Sequence, residues 1–352
     1  MRLTKAILCA LLLPLTVACG GGSKSSPTAP GPANDSSPSS TPGPTPPAAT
    51  TGFTVLPLDL SALDYINPLG HMTTPFNALP QGRMYLVLRD RTQTNPVLAP
   101  AAGTLSFIRG PKPDFYVEVT VSPAITYFFD HITVEPGLQV GSAIQAGQRI
   151  ATHAGISCCV DFGVYNTNVT AGFINRRRYS PQALNADSPL RHFVEPLRSQ
   201  LYDKVPRVSG GKDGKHDYYI PGRLVGNWFF EDQPEEGSLG PDAWPKQLAF
   251  AYSNTHPSMI LVSIGGTLPI TTLCAVQDEA PDPATVSVAS GKVTYRLFQK
   301  QPPVSEGGEK GTTQLGLMIV QMLNDTRIRV QVFPGSSVTA ADFTSDAKIY
   351  LR

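Results

Sequence analysis

Glycine and proline set the first limit on what this chain can fold into. Its 352 residues include 31 Gly and 34 Pro, placed between short runs rich in β-branched and aromatic residues. A long helix cannot run through such punctuation, because proline removes a backbone donor and glycine loses the most conformational entropy on ordering. Short strands joined by turns can. The first set of runs is "RMYLVLRD" (83–90), "GTLSFI" (103–108), "FYVEVTV" (115–121), "AITYFFDHI" (124–132), "QRIATHA" (148–154) and "CCVDFGVY" (158–165). "PLRHFVEPLRSQLYDKV" (189–205) is the best helix candidate, with Pro196 at a first turn or a kink. "PRVSGGKDGKHD" (206–217) reads as a linker between domains. Beyond it lie "GRLVGNWFFE" (222–231), "KQLAFAYS" (246–253), "SMILVSIGG" (258–266) and "ATVSVASGKVTYRLFQ" (284–299). "TQLGLMIVQML" and "TRIRVQVF" flank Asn324-Asp325, a two-residue hairpin signal. Arg327, Arg329 and Gln331 alternate with Ile328, Val330 and Val332, which predicts one wet sheet face.

The first residues belong to export rather than to the fold. Arg2 and Lys5 precede an apolar run, Ala6 to Val17, too short to span a bilayer as a mature helix. Thr16-Val17-Ala18-Cys19-Gly20 resembles a bacterial lipobox, whose cysteine is acylated after cleavage; Thr16 stands where that box usually has Leu. Residues 20–52 are a Pro/Ser/Thr/Gly tether with too little apolar content to order itself. Such a tether would hold the folded part about 30 Å (coil) to roughly 100 Å (extended) from its anchor. With Cys9 removed and Cys19 acylated, Cys158, Cys159 and Cys274 remain, an odd number that excludes a disulfide framework. A net charge of +1 without a basic stripe argues against nucleic acid as a partner.

Residues 97–165 carry four motifs in order. These are "VLAPAAGTL" (97–105), "FDHI" (129–132), "VGSAIQAGQRIA" (140–151) and "CVDFGV" (159–164). Their order and spacing are similar to those of the lysostaphin-type, or LytM-like, zinc endopeptidases of peptidoglycan. The resemblance implies a duplicated-hybrid-motif β-sheet fold and an open zinc site with three protein ligands and a water. Two ligands would come from an upstream His-x-x-x-Asp and the third from the second His of His-x-His. Matched residue by residue, the metal set is gone. Arg83 and Val87 occupy the likeliest His-x-x-x-Asp register, Cys159 replaces the first His, and Asp161 replaces the ligand His. His71 lies too far upstream and has Pro75 at its fourth following place. Only His131 survives, at a position that in the family assists catalysis without binding the metal. A guanidinium cannot become a ligand, so Arg83 is expected to face Asp161 within about 6 Å and take the place of the ion.

Strand alternation sends Cys159, Asp161 and Gly163 to the groove and Cys158, Val160, Phe162 and Val164 to the core. Cys158 is then a packing residue, and a disulfide between neighbours is disfavoured. A Cys159/Asp161/His131 soft-metal site competes with a leftover groove lining. His131 is either a functional remnant or a histidine kept for a hydrogen bond to Asp130 or Asp161. His153, His192, His216 and His256 read as structural or surface residues, and "RRR" (176–178) as a solvated loop open to acidic polymers. Gly226-Asn227-Trp228 matches the lipocalin G-x-W over three residues, with a tryptophan in a β core as the ordinary reading. Related carrier domains need a hairpin-tip lysine, which is absent between Asp114 and Lys204.

The expected protein is mainly β: a signal peptide (1–19), a tether (20–52), a LytM-like sheet domain (53–204) and an antiparallel β-sandwich or small barrel of unknown role (205–352). Cys19 would anchor it to a membrane of the bacterial envelope. Arg83, Cys159, Asp161 and His71 would line the groove around His131. No cofactor is expected, and peptidoglycan or a cell-wall hydrolase is the expected partner. The alternative is an active zinc endopeptidase with an unorthodox ligand set.

Overall fold

A computed structural model describes residues 52–352 except 154, 156, 237–239 and 301–309. The expected signal peptide, Cys19 and the tether through residue 51 lie outside the described residues. The chain divides into Met1–Ala48 and Ala49–Arg352, and the described residues all fall in the second unit.

Ten strands form an antiparallel sheet: β1 (Leu63–Asn67), β2 (Met84–Leu88), β3 (Pro96–Leu98), β4 (Gly103–Arg109), β5 (Phe115–Thr120), β6 (Ile125–Val134), β7 (Ala143–Ile144), β8 (Arg149–His153), β9 (Cys159–Asn166) and β10 (Ala186–Asp187). Their order is β1-β2-β9-β6-β5-β4-β7, with β10 on β9, β8 on β6 and β3 on β8. Alternation decides the faces. Met84, Leu86, Val160, Phe162 and Val164 join Tyr127 and Phe129 in one continuous core. Phe129 and Phe162 stack there with centroids 4.8 Å apart. Each such side chain, fully removed from water, stabilises the fold by about 1.5–3 kcal/mol. The opposite face carries Tyr85, Val87 and Cys159.

The second half is a closed barrel rather than a sandwich. Its strands are β11 (Gly226–Phe230), β12 (Gln247–Tyr252), β13 (Ile260–Ile264), β14 (Thr272–Val276), β15 (Lys292–Lys300), β16 (Lys310–Asn324), β17 (Arg327–Pro334) and β18 (Lys348–Leu351). Each pairs with the next and β18 returns to β11, so the sheet has no edge to protect. Trp228, Phe250, Tyr295, Met318 and Tyr350 fill the interior. The Trp228 indole N–H donates to the Leu224 carbonyl at 2.8 Å, which satisfies the one polar atom of a fully buried ring.

Several local expectations change. The helix over 189–205 is split: a 3₁₀ turn at Pro189–His192 is followed by an extended link and then a helix at Leu197–Asp203. Phe193 bridges to Phe53 in between, and burial of both rings outweighs helical continuity. Asn324 pairs with Arg327, so the turn is Asp325-Thr326, one residue later than the sequence signal. Gln331 is buried and exchanges hydrogen bonds with Thr344, so the β17 face is not uniformly wet. The stretch 206–217 is pinned: Asp213 O accepts from Leu69 N and Thr255 O accepts from Val208 N. Met72 and Leu79 from the sheet half share a hydrophobic cluster with Val225, Phe229 and Ala249 of the barrel half.

Candidate functional site

The groove is assembled by β2, β9 and β6. Tyr85 pairs with Asp161 and Val87 with Cys159, and Asp130 pairs with Asp161 from the other side. Arg83, directly before β2, brings its Nε to 2.7 Å from Asp161 Oδ2. The N–H does not point along that line, so this is an ion pair without a well-aligned hydrogen bond. Asp161 is 1% exposed. Burial pushes its carboxyl up to about 6, against the pull of Arg83 and His131 and with the push of Asp130 and Asp114. For Arg83, burial works against the charge, but Tyr85 and Asp161 outweigh it and hold the guanidinium above its ordinary value. Burial lifts the Tyr85 phenol to about 12. The His71 ring meets the Tyr85 ring edge-on at 5.0 Å. Burial first, then the Lys300 and Arg83 charges, push His71 down to about 4, so it is neutral at pH 7.

His131 reaches the groove through a β-bulge. Val117 pairs with Phe129 while Phe115 pairs with Ile132, so β6 carries one extra residue there. His131 takes φ 63°, and Phe129 and Ile132 both stay fully buried around it. Strict alternation would have sent His131 into the core. Its Nδ1 lies 3.0 Å from Asp114 Oδ1, and its Nε2 lies 4.0 Å from Asp161 Oδ2. Asp114, Asp130 and His131 offer ligand atoms that all lie within 4.8 Å of one another. Asp114 escaped the sequence reading because it sits 17 residues from His131. Only the β5–β6 register, which sets Phe115 opposite Ile132, brings the two together.

The cysteines correct one expectation. Cys158 and Cys159 are joined as a disulfide between neighbours, and Cys158 is partly buried at the groove side, packed against the Tyr85, Val87 and Cys159 cluster. β9 begins at Cys159, so alternation does not reach back to Cys158 and places it outside the core. Cys274 is free and buried in the barrel. The disulfide takes Cys159 out of any soft-metal set.

A zinc ion of the family type does not fit these residues. Arg83 and Val87 supply no donor, and the Arg83 guanidinium already occupies the Asp161 carboxylate. Of the remaining histidines, His153 is buried and hydrogen-bonded to Ser157 O, and His192 sits on Asp187. "RRR" is not wholly solvated: Arg178 is buried, with its guanidinium 4.7 Å over the Phe229 ring. Gly163 shapes the groove floor, since a Cβ there would come within 2.1 Å of the Phe128 ring. Gly163→Ala is expected to displace Phe128 from its stack on Tyr165 and to cost about 1–3 kcal/mol in chemical denaturation.

No family model matches the chain, and no curated protein matches it. Among solved structures, the SpoIIQ–SpoIIIAH pore-forming complex aligns at 14% identity over 43% of this chain and 96% of that chain, with a TM-score of 0.31. The catalytic domain of the prophage-encoded M23 protein EnpA from Enterococcus faecalis aligns at 12% over 31% and 76%, with a TM-score of 0.23. Lysostaphin from Staphylococcus simulans aligns at 12% over 81% and 91%, with a TM-score of 0.25. The groove itself sets a fixed cation on a buried carboxylate, flanked by a histidine held between two more carboxylates.

Proposed function

We propose that this chain is an exported envelope lipoprotein, anchored through Cys19, whose LytM-like sheet domain is non-catalytic and binds peptidoglycan or regulates a cell-wall hydrolase. The observation that carries the reading is the Arg83–Asp161 ion pair at 2.7 Å. It puts a permanent positive charge at the position that the resemblance assigns to a metal ligand, and Arg cannot lose its proton to admit an ion. The groove around it stays polar through Asp114, Asp130 and His131, each half-exposed, so it can still hydrogen-bond a ligand.

The same three residues favour a second reading, an active metallopeptidase with an unorthodox ligand set. One preparation separates the two. The intact chain is expected to pellet with purified cell wall, to carry no stoichiometric zinc and to release no soluble muropeptides. Stoichiometric zinc with muropeptide release that His131→Ala abolishes would replace the first reading by the second. Failure to pellet, with no effect on a hydrolase assayed alongside, would overturn the first reading outright.

A further inference from the structure

A cavity of about 100 Å³ opens between the sheet half and the barrel half, away from the Arg83–Asp161 groove. The sheet half contributes Gln81 to it, the connecting stretch contributes His216, and the barrel half contributes Asn227 and Trp244. Neither half alone would enclose it. None of the residues that line it is charged. A bound carboxylate, phosphate or ammonium would enter without a counter-charge, which is costly in so enclosed a place.

The polar groups are prepared for a neutral, hydroxyl-rich guest. His216 is 7% exposed, and its Nε2 is buried with no hydrogen-bond partner among the described residues. Burial lowers its pKa, so the ring is neutral and offers one donor and one acceptor. An unmet imidazole nitrogen is expensive, and a hydroxyl satisfies either tautomer because it can donate or accept. The Gln81 amide donates to Leu79 O at 2.8 Å, and the Asn227 amide donates to Tyr179 Oη at 3.0 Å. Each amide keeps a second N–H and its oxygen, so both side chains can donate to and accept from a ligand hydroxyl.

Aromatic surface completes the wall. Tyr179 and Trp244 line the cavity, and Trp244 meets Phe76 edge-on at 6.2 Å. Phe76 is 63% exposed, so the aromatic surface continues out of the cavity onto the protein face. The C–H face of a sugar ring packs on such rings while its hydroxyls turn to the amides. The room exceeds that of one water several-fold and suits one ring, with the next lying over Phe76.

We propose that this junction cavity binds a neutral saccharide, one ring held against Trp244 with its hydroxyls on His216, Gln81 and Asn227. The proposal does not rest on the reading of the groove, and it gives the barrel half a role in recognition. The chain has two tryptophans, and Trp228 is fully buried in the barrel, so Trp244 alone reports on the cavity. The test titrates the intact chain with chitotriose and with cellotriose, following tryptophan emission and, independently, saturation-transfer NMR of the sugar. At least one is expected to bind saturably, and Gln81→Leu and Trp244→Ala are each expected to weaken it about tenfold, as lost hydrogen bonds and stacking imply. If Trp244→Ala fails to fold, the half-exposed Gln81 decides by NMR. Absence of binding by both sugars, or binding indifferent to Gln81→Leu, overturns the proposal. Benzoate or phosphate competing as well as the sugar would overturn its neutral character. Saccharide binding that persists when wall pelleting fails would sink the groove reading alone.

Discussion

Arg83→Met is expected to lower the unfolding free energy by about 3–5 kcal/mol at neutral pH, because it leaves a buried charge without its partner. The loss should be strongly pH-dependent, and the sign follows from Asp161. Its carboxyl stands at about 6 in the folded chain, above the ordinary 3.8. A raised folded value means that folding takes up a proton in that window, so Asp161's contribution is fully present below pH 3.8 and is lost as pH rises through about 6. Without Arg83 the window extends upward. At about pH 4.5 the carboxyl is protonated in both proteins, and most of the difference should vanish. His71, held at about 4, has the opposite sign: its contribution is present above 6.5 and is lost as pH falls through about 4. Because the Arg83 charge helps to hold His71 down, the variant relieves part of that acid-side loss, which narrows the difference at low pH in the same direction. The double variant Arg83→Met/Asp161→Leu should recover the parent stability or exceed it by about 1–4 kcal/mol, as buried pairs replaced by apolar side chains do. Urea denaturation at two pH values checks all of this. A pH-independent loss would mean that Arg83 acts through packing, not charge.

Trp228→Ala is expected to cost about 3–5 kcal/mol, the usual price of emptying a large aromatic site. The ring is fully buried, donates to Leu224 O, and carries the Arg352 guanidinium 4.2 Å above it. Trp228→Phe keeps most of the volume but leaves the Leu224 carbonyl unmet, so a smaller loss of about 1–3 kcal/mol is expected. Circular dichroism melts and urea titrations of both variants give the ordering. Equal losses would locate the effect in the hydrogen bond, and a Trp228→Ala loss under about 1 kcal/mol would show that the barrel closes without the indole.

The faces of β9 were legible from alternation alone. Val160, Phe162 and Val164 lie in the core, and Cys159 and Asp161 on the other side, because a strand allows side chains only two directions. Alternation misplaced Cys158 because it holds only within a strand, and β9 starts one residue later. It would equally have misplaced His131, whose bulge is a property of two paired strands and not of "FDHI". β14 and β18 went unread because each is short and draws its stability from neighbours on both sides. Arg178 looked solvated within three consecutive arginines, and it is covered by Phe229 and by the Gln233 and Pro234 carbonyls of the barrel half.

The sequence by itself determined that the chain is built of short strands, since its glycines and prolines leave no long helical run and its apolar residues recur at a period of two. It also placed an arginine and an aspartate of opposite charge at the two positions that the resemblance would give to metal ligands. Tertiary structure decided the rest: that Asp114 meets His131, that the second sheet closes into a barrel, and that Gln81 of the sheet half and Trp244 of the barrel half line one cavity. These depend on pairings between residues distant in the chain. Local periodicity fixes which way a side chain points, and only the packed fold fixes what it meets there.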